Sequence, residues 1–484
     1  MIAEWIEQAA ARRGDAPYLE DAAGAGTLTY AGLRRSAAAW AHGLDRAGIP
    51  PGARVAVRLP DPLSYATALV AILGAGRVVV PLDPGAPAAE LSRVLAAARP
   101  QATICDPSER SIQPNGPGRR APAHHPASPG RTGGIFLCTS GTTGTPKGIL
   151  LGEDQLGHVA AGVARHHRLT EADRGYCCLP LFHVNAEVVG VLSTLCAGAC
   201  LVLDAKFSRS RFWSLIAEHQ ITWINAVPAI ITLLTLEPTG DPQPQHVRFV
   251  RSASAPLPPA TLERFEKAYE VPVIETYGMT EAASMITANP LDGPRKAGSA
   301  GVPVGLELRV TRPVQDGSAP CEAYETGLVQ IRGRGVIRAY ASPGRTGLID
   351  QEGWLVTGDL GYLDHDGYLF LAGRSDDVIN RGGEKIYPRD IEDFLLAQPG
   401  VLSAAVVPVP DEILGERPVA YIVPTDAVES AVSITAALHQ ACKAGLPRHK
   451  RPSEILVVEQ LPLGPTGKLA RRRLRELAEA RAAG

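Results

Sequence analysis

The sequence predicts an α/β protein: a large N-terminal domain of mixed α/β sheets with a β-rich section, then a small α+β C-terminal domain. Three observations support this. Helical patterns alternate with short apolar runs up to Gly305. Beyond Gly305 the apolar period shortens to about two residues, with Gly and Asp turns. Near Arg374 the pattern changes again, so we expect one domain over residues 1–375 and another over residues 376–484.

Local patterns predict the elements in order. Residues 1–8 indicate an amphipathic first helix, and the apolar runs 55–59 and 78–82 indicate buried strands on either side of a helix over 65–73. Residues 107–133 are rich in Pro, Gly, Ser and Arg, which predicts an exposed loop. Later patterns predict helices over 212–219, 259–269, 390–396 and 434–443, and strands over 134–138, 221–225, 247–250, 271–274, 404–409, 420–423 and 456–459.

Composition restricts the function classes. Hydrophobic residues make up 45% of the 484 residues and charged residues 20%, which is typical of a globular protein. A net charge of −2 gives no electrostatic basis for binding nucleic acid or an anionic membrane. The eight cysteines form no CxxC pair, which favours reduced thiols. Residues 1–8 are acidic where a signal peptide needs bases, and the apolar stretch 66–80 is too interrupted to cross a bilayer, so we expect a cytoplasmic protein.

The most informative segment is a loop that places five hydroxyls, three glycines and one lysine in ten residues, Thr139-Ser140-Gly141-Thr142-Thr143-Gly144-Thr145-Pro146-Lys147-Gly148. It follows the strand-like run 134–138. Glycine lets the backbone approach an anion closely, so the loop is suited to a polyphosphate. It is not a Walker loop, because only two residues separate Gly141 from Gly144 and no Ser or Thr follows Lys147. A flexible Ser/Thr/Gly linker is the alternative.

Six further motifs follow this loop in order: Leu179-Pro180-Leu181-Phe182-His183-Val184-Asn185, Glu275-Thr276-Tyr277-Gly278-Met279-Thr280-Glu281, Trp354-Leu355-Val356-Thr357-Gly358-Asp359, Gly373-Arg374-Ser375-Asp376-Asp377, Arg381-Gly382-Gly383-Glu384-Lys385-Ile386 and Pro465-Thr466-Gly467-Lys468. Together they resemble the acyl-adenylate-forming superfamily of acyl-CoA synthetases, carrier-loading adenylation domains and luciferases. Within it, the stretches 251–255, 288–291 and 380–386 are most similar to oxalyl-CoA synthetases of plants and fungi and their bacterial relatives.

The resemblance implies a two-step reaction. A small carboxylic acid attacks the α-phosphate of ATP, which gives acyl-AMP and pyrophosphate, and the acyl group then passes to coenzyme A. ATP, Mg²⁺ and coenzyme A are thus the implied cofactors and co-substrates. The C-terminal domain is implied to be mobile and to swing about a hinge at Asp376. That swing would exchange the face carrying Lys468 for the face carrying Gly382 and Gly383.

By resemblance, four residues carry the chemistry. Lys468 bridges the carboxylate and the α-phosphate, Thr280 touches that phosphate, and Glu281 meets Mg²⁺, a hard cation that prefers carboxylate oxygen. His183 resembles the aromatic gate between the acyl and thiol channels. Three of them also have a structural alternative: a tail residue for Lys468, a helix N-terminal acid for Glu281 and a packed ring for His183.

The resemblance also implies the set that binds ATP: Thr139, Ser140, Gly141, Thr142, Thr143, Gly144, Lys147, Ser254, Ala255, Pro256, Glu275, Thr276, Tyr277, Asp359 and Arg374. In this set, the loop residues hold the β- and γ-phosphates. Tyr277 stacks on adenine, with the turn 254–256 as the opposite wall. Asp359 accepts hydrogen bonds from the ribose hydroxyls, which suits a carboxylate, and Arg374 also reaches the ribose.

The expected acyl pocket consists of Val184, Asn185, Glu187, Ser252, Gly278, Met279 and Ala283. Its Asn, Ser and Glu side chains make it more polar than a fatty-acid tunnel. Glu187 is unusual in an apolar stretch and either contacts the substrate or points to solvent. Near the His183 motif no arginine is expected to pair a second carboxylate, which argues against a dicarboxylate such as oxalate.

The expected coenzyme A site contains Gly382, Gly383, Lys385, Arg448 and Lys450. Two glycines leave room for the pantetheine arm, and the basic residues could meet nucleotide phosphates or form a solvated charge run. Two rival functions remain open. One is an adenylating enzyme with another acceptor: a carrier protein, an amine, or an aryl amine diazotised by activated nitrite. The other is a nucleotide binder without activity, which would not need Lys468. The sequence does not fix the oligomeric state.

Overall fold

The computed structural model describes residues 1–108, 112–115, 133–139, 147–236, 246–314, 317–341, 348–425, 431–463 and 469–482. The first part of the chain builds a six-stranded sheet in the order β6-β5-β3-β4-β7-β8. Its helices are α1 (Ile2–Arg13), α2 (Tyr30–Arg46), α3 (Pro62–Gly74) and α4 (Ala88–Ala98). Its strands, preceded by β1 (Pro17–Asp21) and β2 (Thr27–Thr29), are β3 (Arg54–Val57), β4 (Val78–Pro81), β5 (Ala102–Ile104), β6 (Gln113–Pro114), β7 (Gly134–Thr139) and β8 (Lys147–Gly152).

A second, nine-stranded sheet has the order β15-β14-β13-β12-β11-β9-β10-β1-β2. The strands β9 to β13 run parallel, as the alternation of helices and apolar runs predicts. The elements are α5 (Glu153–His166), β9 (Arg174–Cys177), a π-helix (Asn185–Leu192), α6 (Ser193–Ala197), β10 (Cys200–Leu203), α7 (Phe212–Glu218), β11 (Trp223–Ala226), α8 (Pro228–Thr235), β12 (Phe249–Ser252), α9 (Pro259–Tyr269), β13 (Val273–Tyr277), β14 (Thr287–Ala288) and β15 (Val302–Pro303).

Two smaller sheets complete the fold. A β-rich section follows Gly305, with strands β16 (Glu307–Val314), β17 (Gly317–Pro320), β18 (Gly327–Arg332), β19 (Leu355–Leu363) and β20 (Leu369–Arg374). The last sheet pairs β21 (Ile379–Arg381), β22 (Glu384–Ile386), β23 (Val401–Asp411), β24 (Gly415–Pro424) and β25 (Glu454–Val457), with helices α10 (Pro388–Leu396), α11 (Ala431–Gly445) and α12 (Arg471–Ala482). The predicted fold class is confirmed, although several elements begin or end two or three residues away from their predicted bounds.

One hydrophobic core joins the two large sheets. Val55 and Val79 of the six-stranded sheet and Trp223 and Phe249 of the nine-stranded sheet belong to it, with helix α3 between them. Helix α3 is apolar on nearly every side because both sheets cover it. Its start is fixed by Asp61, whose carboxylate accepts a hydrogen bond from the Ser64 N–H at 2.8 Å. No helix in the described ranges has the length and apolarity that a membrane crossing requires.

The π-helix Asn185–Leu192 follows the predicted acyl-pocket motif, and all its residues are buried. It packs on helices α3 and α5 and contacts β9 and β11. Short π-helical turns are frequent at functional sites. Here Asn185 faces the nine-stranded sheet and Glu187 faces helix α3.

Candidate active site

Polar side chains collect where the parallel strands β11, β12 and β13 end. The register aligns Asn225 with Arg251 and Ser252 with Glu275. Loops at the carboxyl ends of parallel strands meet at one edge of a sheet, where ligands of open α/β folds bind. The edge therefore brings together residues that lie far apart in the chain.

The turn 254–256 is held firmly at this edge. Ser254 has φ of +75°, and its Oγ accepts a hydrogen bond from Asn185 Nδ2 at 3.3 Å. Buried Glu275 accepts a hydrogen bond from the Leu257 N–H at 3.2 Å, just beyond the turn. Burial raises the pKa of Glu275 to about 7. Glu275 thus stabilises the turn through this hydrogen bond. The Thr276 hydroxyl donates a further hydrogen bond to the Ser252 carbonyl at 3.0 Å.

Tyr277, Asp359 and Arg374 form a connected group across three strands. The Tyr277 hydroxyl donates to Asp359 Oδ2, and Arg374 Nη1 donates to Asp359 Oδ1 at 3.0 Å. Arg374 also donates to the Thr357 carbonyl at 3.0 Å. The pairing of β19 with β20 sets Asp359 opposite Arg374. The structure thus brings together the three residues predicted for adenine and ribose.

Glu281 lies in a 3₁₀ turn, Thr280–Ala282, directly after this group. Glu281 is buried, and its Oε1 accepts a hydrogen bond from the Tyr340 hydroxyl at 3.0 Å. The next residue, Ala341, donates its N–H to the Gly148 carbonyl at 2.9 Å, at the start of β8. Magnesium usually binds one or two carboxylates together with substrate phosphates, so Glu281 beside the end of the predicted phosphate loop fits such an ion.

The phosphate loop itself is described only at its two ends. Thr139 ends β7 and Lys147 begins β8, and their backbones pair with each other. The predicted residues Ser140, Gly141, Thr142, Thr143 and Gly144 lie outside the described residues. The same holds for Lys468, although its neighbour Leu469 forms an antiparallel bridge with Leu463.

The acyl-pocket prediction is only partly matched by the geometry. Val184, Asn185 and Ser252 lie by the ends of the strands, and Met279 packs beside Ala283 in the same core. Gly278 has no room for a side chain, because a Cβ there would come within 1.2 Å of the Ser284 carbonyl oxygen. The ring of His183 packs against Phe182, with their centroids 4.6 Å apart.

Glu187 does not point to solvent, so that alternative is wrong. Its side chain is fully buried, and its Oε1 accepts a hydrogen bond from the Tyr65 hydroxyl on helix α3 at 2.7 Å. Glu187 lies two residues after Asn185 and on the opposite side of the helix, so its partner belongs to the core and not to the predicted pocket. Burial raises the pKa of Glu187 to about 8.

The pKa of Glu187 leads to a prediction about stability. The folded protein keeps a proton that the unfolded chain loses near pH 4.5, so the free energy of unfolding should fall as pH rises from about 5 to 8. In Glu187→Gln this contribution is absent, and the variant should gain stability relative to the parent by about 1–3 kcal/mol across that range. Urea unfolding at pH 5, 6.5 and 8 measures it. Exposed Glu218→Gln is the control and should follow the parent.

The expectation that no arginine lies near the His183 motif is also wrong. Arg251 Nη1 donates to Asn185 Oδ1 at 2.8 Å and to Asn225 Oδ1 at 2.9 Å. Sixty-six positions separate Arg251 from Asn185. The strand register sets Arg251 beside Asn225 of β11, and the π-helix that begins at Asn185 contacts β11. The sequence did carry a signal, because a charged residue inside the apolar run of a parallel strand is unusual.

The residues predicted for coenzyme A lie together in the last sheet and beside it. Gly382 and Gly383 form the exposed β21–β22 turn with φ of +61° and +92°, a conformation that favours glycine. Lys385 is exposed on β22. Arg448 and Lys450 lie in a 3₁₀ turn, where Lys450 pairs with Asp390 of α10 at 2.6 Å.

The residues predicted for coenzyme A follow the hinge candidate in the chain. The hinge candidate Asp376 lies in the 3₁₀ turn Ser375–Asp377, between the β-rich section and the last sheet. Helix α10 contacts β20 there, and Arg389 donates to the Leu371 carbonyl at 2.9 Å.

Comparison with known proteins gives consistent results. Residues 6–341 match the family model of the AMP-binding enzyme, and residues 390–468 match that of the AMP-binding enzyme C-terminal domain. A sulfoacetate–CoA ligase of Cupriavidus necator is 38% identical over 501 residues, which cover 98% of this chain and 97% of the relative. An oxalate–CoA ligase of Arabidopsis thaliana is 33% identical and covers 88% of each chain.

Solved structures agree with these relatives. ATP-bound MatB from Rhodopseudomonas palustris superposes with a TM-score of 0.86 at 28% identity, covering 99% of each chain. The o-succinylbenzoate CoA synthetase MenE from Bacillus subtilis, in complex with its acyl-adenylate intermediate, has a TM-score of 0.81 at 29% identity and covers 97% of each chain.

Proposed function

This chain belongs to the AMP-binding enzyme family, and we propose which of its residues act in each step of a two-step ligation of a small acid to coenzyme A. The chain is an AMP-forming acyl-CoA synthetase that uses ATP, Mg²⁺ and coenzyme A. The predicted family, fold class, reaction and co-substrates are thereby confirmed.

The chemistry sets what the site must do. A carboxylate oxygen bonds to the α-phosphorus of ATP as the bond to pyrophosphate breaks. The coenzyme A sulfur then bonds to the acyl carbon, and AMP leaves with the electron pair of the broken bond. In the first step negative charge passes from the carboxylate to pyrophosphate, and in the second it passes from the thiolate sulfur to the phosphate of AMP. Fixed cations and hydrogen-bond donors therefore provide most of the acceleration.

One observation carries the assignment of the nucleotide site: the connected group of Tyr277, Asp359 and Arg374 at the edge where the turn 254–256 is fixed. In our proposal Tyr277 and this turn enclose adenine, and the Asp359 carboxylate accepts hydrogen bonds from the ribose hydroxyls. Glu281 then holds Mg²⁺, Thr280 touches the α-phosphate and the loop 139–147 receives the β- and γ-phosphates.

The second step needs a different set of residues, all in the C-terminal part. We propose a boundary after residue 375, with Asp376 as hinge and the C-terminal domain as a mobile unit. The exposed turn at Gly382 and Gly383 gives a slender arm room to pass. Lys385 and Arg448 would meet the coenzyme A phosphates; Lys450, already paired with Asp390, would contribute after that pair opens.

The relatives suggest the size of the acid. They are named for sulfoacetate and oxalate, which are short acids, and the polar Asn185 and Ser252 suit a short substrate better than an aliphatic tail. We also propose the cytoplasm as location, supported by eight cysteines that are all free thiols.

Pyrophosphate release over a panel of short acids, with and without coenzyme A, tests this function. We expect release that depends on the acid, and a thioester detected by mass spectrometry when coenzyme A is present. Release without a thioester would favour another acceptor. No release with any acid would contradict the proposal.

A further inference from the structure

Arg251 is a buried cation without an anionic partner. Its side chain is 1% exposed, and within the described parts of the chain no carboxylate pairs with it. Its Nη1 is bonded to two neutral amide oxygens, whereas its buried Nε has no hydrogen-bond partner among the described residues. Burying an uncompensated charge is costly, so such groups normally have a counter-ion or a ligand.

The surrounding residues are built to hold the guanidinium in place. Asn225 Nδ2 donates to Asn185 Oδ1 at 3.4 Å, which leaves the oxygens of both amides directed to Arg251. Neither amide carries charge, and burial therefore lowers the pKa of Arg251 to about 9. The next residue, Ser252, has a fully buried hydroxyl that also has no partner within the described ranges.

The position of this cluster connects it to the active site. The Asn185 amide bonds Arg251 on one side and Ser254 on the other, and Ser254 belongs to the turn proposed to face adenine. A single amide group therefore spans the distance between Arg251 and the nucleotide wall. An acid with one end at the guanidinium therefore needs little length to reach the proposed nucleotide wall.

We propose that Arg251, oriented by Asn185 and Asn225, binds a second anionic group of the acid, a carboxylate or a sulfonate, at the inner end of the acyl pocket. This rests on the proposed function and names its substrate class: short acids with two negative charges. The reacting carboxylate then faces the α-phosphate, and the distal anion supplies the missing counter-charge. Arg251 is a binding residue for specificity and takes no part in bond making.

Matched pairs of acids test the subsite. Oxalate and oxamate, or malonate and malonamate, have nearly the same shape but differ by one charge. For the parent we expect kcat/KM for the diacid to exceed that for its monoamide by about 100-fold or more, because a buried cation left unpaired rejects the neutral analogue. Arg251→Gln should abolish this preference while leaving KM for ATP unchanged, and Arg251→Lys should restore part of it.

The ratio of the two acids is measured in one protein sample, so partial misfolding does not alter it. Arg248→Gln is the matched control: Arg248 precedes the same strand, pairs with Asp173 at 2.9 Å and should not affect the ratio. If Arg251→Gln does not fold, the parent and Asn225→Ala decide the question in the same assay.

The outcomes separate the two proposals. A parent that ligates monoamides as well as diacids, or an Arg251→Gln variant that keeps the parent's ratio, would overturn the subsite and leave the ligase intact. Absence of pyrophosphate release with every acid would instead refute the proposed function.

Discussion

Replacing Lys468 by alanine is expected to slow the formation of acyl-AMP about 1,000-fold, equivalent to about 4 kcal/mol of activation free energy. The reacting carboxylate and the α-phosphate are both negative, and a cation between them lowers the barrier most where they approach each other. Thioester formation from synthetic acyl-AMP and coenzyme A should proceed at nearly the parent rate. Rapid-quench measurement of each step separates the two.

Three cations near Lys468 are already held in ion pairs. Arg471 pairs with Glu392 at 2.8 Å, Arg472 with Glu476 at 3.0 Å and Arg475 with Glu416 at 3.1 Å. These guanidiniums already neutralise carboxylates of the C-terminal part. Supplying one of them to a phosphate would first break an ion pair.

Arg472→Ala is a suitable control for Lys468→Ala. Arg472 is exposed and lies four residues further along, and its loss should leave both steps unchanged. Equal rates of adenylation in Lys468→Ala and the parent would remove Lys468 from the mechanism. A defect confined to thioester formation would assign it to the second step instead.

Features of this chain that depend on local spacing are predictable from its sequence. Apolar periodicity predicted the alternating elements because burial depends on local spacing, and helix α9 has the predicted bounds. The motifs also indicated Tyr277, Asp359 and Arg374, which the fold brings together.

Two features of the site could not be predicted from local sequence patterns. The neighbours of Arg251 depend on the register of parallel strands that are distant in sequence. The environment of Glu187 depends on Tyr65 of helix α3, which lies 122 positions away in the chain. Both features arise from tertiary packing, and local sequence patterns do not encode it.

Asp359→Ala is expected to lower kcat/KM for ATP about 100-fold, or about 2.7 kcal/mol. The change removes the proposed acceptor for the ribose, and it also leaves the Tyr277 hydroxyl and Arg374 without the carboxylate that orders them. Asp359→Asn keeps a neutral acceptor in the same place and should lose only about 10-fold. Calorimetric titration with AMP should show the same order of affinities.

The matched control for Asp359 is Asp366→Ala, which removes a 72% exposed carboxylate paired with Lys296 on the same β-rich section. It should behave as the parent, because Lys296 keeps its second partner, Asp364, at 2.5 Å. If Asp359→Ala bound AMP as tightly as the parent while remaining folded by circular dichroism, the nucleotide would have to lie elsewhere. The group of Tyr277, Asp359 and Arg374 would then be a structural link between the nine-stranded sheet and the β-rich section, because these residues join β13 to β19 and β20 whether or not a ribose contacts them.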